Sequence, residues 1–129
     1  MNRMVEHVDK DEYNYKLLDS WVLWAHLPHD TDWTLDSYKF VCEINSVKTA
    51  VNLFENLPET IIKNCMLFLM RKGIKPTWED PKNLNGGSFS FKINNKFVIN
   101  SWKSLSYVLL GETLTKEEYS NNISGISVS

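Results

Sequence analysis

The stretch SWVLWAH, Ser20–His26, decides the fold. Aromatic and branched residues alternate along it, placing Trp21, Leu23 and Ala25 on one face of a β-strand and Val22 and Trp24 on the other. The loop LPHDTDWTLD follows, marked by Pro28 and an acidic cluster. Ser37–Ile44 reads as a second strand. Asn45 or Ser46 then caps a helix on which Val47, Ala50, Val51, Phe54 and Leu57 recur at helical spacing, and Pro58 ends it. Asn64–Arg71 is an apolar run of strand length. The segment Lys72–Gly87 contains GIKPTWEDPKNLNGG, whose two prolines and closing Gly-Gly predict an irregular loop. Ser88–Ile93 alternates as a strand, Asn94-Asn95 turns, and Lys96–Ile99 returns as a short strand. Asn100 or Ser101 caps a second helix carrying Trp102, Leu105 and Leu109 on one face, which Gly111 stops. The tail, Asn121–Ser129, starts another strand.

Strands in a meander, interrupted by two helices, predict an α+β domain with an antiparallel sheet. The helices cover one face and the loops at strand ends carry the site. Residues 1–14 are polar and read as a disordered N-terminal arm, leaving 15–129 as the single domain. The apolar share, 43%, suits a globular chain, and no run approaches the roughly 20 apolar residues that span a bilayer. No apolar signal core opens the chain, and Cys42 and Cys65 each sit in an apolar run. Both features predict a cytoplasmic protein with two reduced, buried thiols, without membrane or metal partners.

A net charge of −2 argues against a protein that holds long DNA or RNA by phosphate contacts alone. Charge is nevertheless uneven. Residues 63–103 carry Lys63, Arg71, Lys72, Lys75, Lys82, Lys92, Lys96 and Lys103 against Glu79 and Asp80. Such a segment is either a solvated surface or a local anion site.

Two tryptophans fit no apolar face. Trp33 follows Asp30-Thr31-Asp32, and Trp78 stands between Pro76-Thr77 and Glu79-Asp80. Either each pins its loop as a buried indole, or the two form a stacking clamp for a flat base. A base stacked on an indole gains about 1–3 kcal/mol, and a cationic base gains more by cation–π attraction. Guanine methylated at N7 is such a base. A carboxylate at Glu79 suits its N1–H and exocyclic amine, both of which donate hydrogen bonds. His26, His29, Asp30 and Asp32 make only a weak metal pattern, with Pro28 inside it. Adjacent Glu79 and Asp80 point apart in an extended loop. With no nucleophile elbow or P-loop in the chain, nothing predicts an enzyme.

The pieces SWVLWAH, GIKPTWEDPKNLNGG, NSWKSLSYVLLGE and YSNNISG, in this order and spacing, resemble eukaryotic translation initiation factor 4E, the family that binds the 5′ cap of messenger RNA. The resemblance runs from Tyr15 to Ser129, with a small insertion around Thr113–Glu117. It implies a curved antiparallel sheet backed by helices on its convex face, with the cap on the concave side and no cofactor. By position, Trp33 and Trp78 match the stacking pair and Glu79 the guanine-reading carboxylate. Ser88 replaces a basic phosphate contact and Phe89 a tryptophan; Lys82 and Lys92 are the candidate substitutes. The family's other phosphate-binding residues, last strands and third long helix lie beyond the position of Ser129, so the domain is expected to be C-terminally truncated.

On the convex face, where the family grips an initiation scaffold protein, Leu17 and Gly111 are retained. Val51 replaces a tryptophan there, and Lys103 replaces an apolar residue. The reading is cap binding in translation initiation. The competing readings are a cap-binding repressor that does not engage the scaffold, and a fragment without a competent site.

Overall fold

A computed structural model describes residues 15–129; the arm expected over 1–14 lies outside the described residues. Strands β1 (Lys16–His26), β2 (Tyr38–Ser46), β3 (Met66–Arg71) and β4 (Gly125–Val128) form one antiparallel sheet in the order β2-β1-β3-β4. The helices are α1 (Val47–Asn56), α2 (Glu59–Asn64), α3 (Pro81–Leu84) and α4 (Val98–Leu110), with 3-10 turns at Leu35–Ser37 and Glu117–Asn122. The expected class, α+β with a curved antiparallel sheet backed by helices, is the one adopted.

Alternation along β1 builds the core. Trp21 lies opposite Ile44 and Arg71, Leu23 opposite Cys42 and Leu69, and Ala25 opposite Leu67. Trp21, Leu23, Ile44, Leu67 and Leu69 are fully buried against Ala50 and Phe54 of α1, Ile62 of α2, and Trp102, Leu109 and Leu110 of α4. Burying a large apolar side chain stabilises by roughly 1.5–3 kcal/mol, so this layer is the main attraction holding helices to sheet. Ser46 caps α1 by accepting from the Thr49 amide at 3.2 Å.

The opposite face follows from the same alternation and one irregularity. The register of β1 with β2 shifts between Leu23 and Trp24, leaving Val41 as an extra residue. Cys42 therefore faces Leu23 on the core side, while Phe40 lies opposite Trp24 on the other. Trp24 and Phe40 meet edge to face at 6.1 Å, and Tyr38 meets Phe68 at 5.5 Å.

Arg71, at the end of β3, is buried and joins four parts of the chain. Its guanidinium lies 4.3 Å over the Trp21 ring and makes two bonds to Glu112, of 2.7 and 2.6 Å. It also donates to Asp19 on β1 and to the carbonyls of Ser120 and Ile123. Glu112, just past α4, holds a left-handed backbone with φ 58°. That conformation disfavours a residue with a Cβ, and the paired carboxylate helps hold it in place. Past this anchor, Gly125 enters β4 where an added Cβ would strike the Leu69 carbonyl and the Met70 side chain.

Several expectations fail for physical reasons. Pro58 ends α1, but it also stands at the N-cap of the unforeseen helix α2, because its fixed φ suits a helix start. Pro81 likewise opens the one-turn α3 inside the segment expected to be irregular throughout. Ser88–Ile93 and Lys96–Ile99 form no strands. Among the described residues no ladder partner meets them, and Phe89 and Phe91 are 95% and 81% exposed. Val98 and Ile99 instead begin α4, whose N-cap is Phe97 rather than Asn100 or Ser101. The basic segment is not one free surface either. Arg71 is buried, Lys72 pairs with Glu43 at 3.1 Å, and Lys103 pairs with Glu55 at 3.2 Å.

Trp21 and Trp102 are core residues as expected, and Trp24 is half-buried. Cys65 is buried and Cys42 half-buried, both unpaired; burial, then the Glu43 charge, pushes the Cys42 thiol pKa up. Among the described residues no helix is long and apolar enough to cross a membrane.

Candidate functional site

Two loops that leave opposite ends of the antiparallel β1–β3 ladder make the site. The first leaves β1 after His26. Asp30 accepts from the Asp32 amide at 2.9 Å, and Asp32 accepts from the Thr34 amide at 2.8 Å. These short side-chain bonds fold the loop on itself. Bonding from Thr34 is also the main reason the Asp32 carboxyl is held below its usual pKa, so it stays ionised. His26 anchors the loop from the sheet, its Nε2 lying 2.8 Å from the Asp32 carbonyl oxygen. A carbonyl only accepts, so Nε2 carries a proton.

This anchoring decides the pose of Trp33. Its indole stacks on the His26 ring at 3.8 Å with planes 1° apart. His26 is 1% exposed, whereas Trp33 is 53% exposed. One indole face is thus backed by a buried ring, and the other is turned outward. Tyr38 closes the edge, 5.2 Å from His26 and 6.5 Å from Trp33. Of the His26 ring nitrogens, Nε2 is occupied by the Asp32 carbonyl oxygen.

The second loop leaves β3. Gly73, at φ 92°, permits the turn in which Ile74 donates to the Arg71 carbonyl. Beyond it, the Asp80 carboxylate accepts from the amides of Lys75 (2.7 Å) and Lys82 (2.9 Å), capping α3. The Asn83 amide donates to the carbonyls of Lys75 and Thr77. Trp78 and Glu79 are therefore displayed on a loop tied at both ends. Asp80→Ala should speed hydrogen exchange of the Lys75 and Lys82 amides roughly tenfold, as expected for losing hydrogen bonds worth about 1–2 kcal/mol. The amides of β1 should be unchanged; equal exchange in both proteins would remove Asp80 as the organiser.

Between the loops lies an open cleft of about 490 Å³, lined by Thr31, Trp33, Thr34, Leu35, Thr77 and Glu79. Glu79 also makes its charge felt at Tyr38, whose pKa is raised first by burial and then by that carboxylate. The structure thus brings Trp33 and Glu79 together. Trp78, 72% exposed, does not line the cleft, and neither do Lys82, Lys92 or Ser88. Tyr38 and Asn83 escaped the sequence reading, which weighed His26 only as a metal donor and Asp80 only as an acid–base partner of Glu79. Only the Asx-turn spacing of Asp80 and Lys82 offered a signal.

The residues expected on the convex surface lie on or beside the core-covering helices, across the sheet from the cleft. Leu17 packs against the core, Val51 is exposed on α1, and Gly111 ends α4. Lys103 and Tyr107 of α4 both reach Glu55 of α1. Burial, then the bond to Glu55, pushes the Tyr107 hydroxyl up to about 12.

The family model described as eukaryotic initiation factor 4E matches residues 16–129. A homolog of eukaryotic translation initiation factor 4E from Acanthamoeba polyphaga mimivirus is 31% identical, over 90% of this chain and 51% of its own length. The Candida albicans factor 4E is 30% identical, over 91% of this chain and 60% of its own. The chain therefore spans between half and three-fifths of these curated relatives.

Among solved structures, C. elegans eIF4E-3, in complex with the 4E-binding protein Mextli and cap analog, superposes with a TM-score of 0.78 at 24% identity. That match covers 88% of this chain and 66% of that one. Ascaris suum eIF4E-3 with m2,2,7G cap gives 0.77 at 22%, with the same coverage. With its sheet, its helical cover and a family match along nearly its whole described length, this chain belongs to the eukaryotic initiation factor 4E family.

Proposed function

We propose that this chain binds the N7-methylated guanine of the messenger RNA cap and acts in translation initiation. The observation that carries the reading is the cleft with an open indole face, Trp33, on one side and a carboxylate, Glu79, on the other. A cationic base stacks on the first and donates two hydrogen bonds to the second. Trp78, exposed beside Glu79, supplies the second indole when a base draws the loop inward. The nematode neighbours bound to cap analog and to m2,2,7G cap support this reading. Since Lys82 and Lys92 stand outside the cleft lining, recognition falls on the base more than on the triphosphate. The site performs no catalysis, and its place of work is the cytoplasm.

The test is tryptophan emission on titration. 7-Methylguanosine triphosphate should quench strongly and GTP far less; equal quenching by both would sink the proposal.

A second reading, cap binding without the initiation scaffold, is favoured by the convex face. Lys103 is held by Glu55 where the resemblance expects an apolar contact, and Val51 offers little area. Tight capture of a scaffold peptide would exclude it.

A further inference from the structure

We infer that Lys75 is a binding residue for the ligand's phosphates: the second loop reads the nucleotide at both ends, the base through Glu79 and the phosphate chain through the Lys75 ammonium. The inference rests on the cap reading for its ligand but not for its charge. Lys75 is exposed, and its Nζ stands 5.5 Å from the centroid of the Trp24 ring. Among the described residues no carboxylate pairs with it. An ammonium carries three donors, and a ring face at this distance holds the stem in place while leaving them open to an oxygen.

The position follows from the course of the loop. It leaves β3 at the end of the ladder far from His26, where the Lys72 amide donates to the Ser20 carbonyl at 2.8 Å. It then runs back over the sheet, and Thr77 and Glu79 reach the cleft beside Trp33. Lys75 lies between these points, over Trp24. Trp24 and His26 share one face of β1 two residues apart, which is about 7 Å along a strand. The ammonium therefore stands over the face that carries the stack of His26 and Trp33, one repeat away from it. The Lys75 backbone is fixed as well, its amide donating to Asp80 and its carbonyl accepting from Asn83. Only the side chain has to turn.

Among the described residues of the basic segment, only the Lys75 ammonium meets an aromatic ring of the cleft face. Arg71, Lys72 and Lys103 are committed to carboxylates. Lys63 ends α2 on the helical side, and Lys96 lies over the Phe97 ring at the start of α4. Lys82 belongs to α3 and Lys92 to the irregular segment, both outside the cleft lining. The charges suit a nucleotide with a cationic base and anionic phosphates, since Glu79 and Lys75, four residues apart, oppose one each. Turning from ring to phosphate costs the ammonium little, because the ring contact is exposed, and gains a charge-assisted bond. One ammonium is a modest contact, so the base still supplies the larger share of binding.

The experiment compares ligands that differ in phosphate number, 7-methylguanosine and its triphosphate, on the wild type, Lys75→Met and Lys75→Arg. Lys75→Met keeps the stem and removes the charge. It should weaken triphosphate binding by roughly three- to tenfold, as expected for one exposed charge-assisted bond, and leave nucleoside binding unchanged. Added salt should erase most of that difference. Lys75→Arg should bind both ligands nearly as the wild type does, whereas Glu79→Gln should weaken both alike. An unchanged triphosphate affinity in Lys75→Met would overturn the inference. Equal loss for both ligands would overturn it too, since that is the result for a lysine that only holds the loop.

Failure of the cap reading looks different. If methylated and unmethylated guanine ligands bind alike, that reading falls. A preference for GTP over guanosine that shrinks in Lys75→Met then still keeps the phosphate contact. If the wild type shows no preference for a triphosphate over its nucleoside, the phosphate contact falls, even where 7-methylguanosine binds and the base reading stands.

Discussion

Arg71→Ala should destabilise the domain by roughly 3–5 kcal/mol, the cost of removing one partner from a buried ion pair. The wild-type guanidinium satisfies Glu112 through two bonds, the carbonyls of Ser120 and Ile123, and Asp19. Its removal leaves the Glu112 carboxylate, 11% exposed, without its cation, and leaves the strained backbone at that residue unsupported. Arg71→Lys should recover little, because an ammonium cannot make the paired contact or lie flat over Trp21. Asp19→Ala should cost under about 1 kcal/mol, since that carboxylate is 46% exposed and screened. Urea denaturation checks the series. Hydrogen exchange adds the location, with the amides of β4 losing protection before those of β1. An Arg71→Ala unfolding free energy within about 1 kcal/mol of wild type would show that the arginine is incidental.

Glu79→Gln should lower affinity for 7-methylguanosine triphosphate at least tenfold while leaving the fold unchanged. The side chain is exposed at the cleft rim, so nothing in the core depends on it. The change is nearly isosteric, yet it converts two acceptors into one acceptor and one donor. Guanine presents two donors on that edge, and one of them would meet an amide N–H. A site built to bond a substrate edge discriminates most strongly when a polar group is left unpaired. Selectivity over a methylated adenine should collapse further than affinity does. Titration calorimetry with both bases decides the matter; unchanged selectivity would remove Glu79 from the reading of the base.

Both variants bear on what was legible in the chain. Strands β1 to β3 and helix α1 could be read because each carries its own period and its own stop. Ser88–Ile93 could not, because alternation states a preference while a strand also needs a neighbour to hydrogen-bond, and no described segment supplies one. Lys96–Ile99 misled in the opposite sense. Val98 and Ile99 suit a strand locally, but they share a helical spacing with Trp102, and Ile99 packs against the core. Trp33 and Glu79 were legible as residue types out of place on their loops. His26 was hidden in an apolar alternation, and its partner appears only when the loop folds back over it. Arg71 read as one more surface charge, since its partners lie 41 to 52 positions away.

The extra residue at Val41 has a consequence for how change at neighbouring positions should be understood. It moves β2 from one phase of alternation to the other in mid-strand, so a nine-residue element serves two clients. Cys42 and Ile44 are tuned to the helices, while Tyr38 and Phe40 are tuned to the cleft side. Substitutions on either side of Val41 therefore belong to different problems, one of packing and one of recognition. The interior can be altered from one half of the strand while the recognition surface is altered from the other.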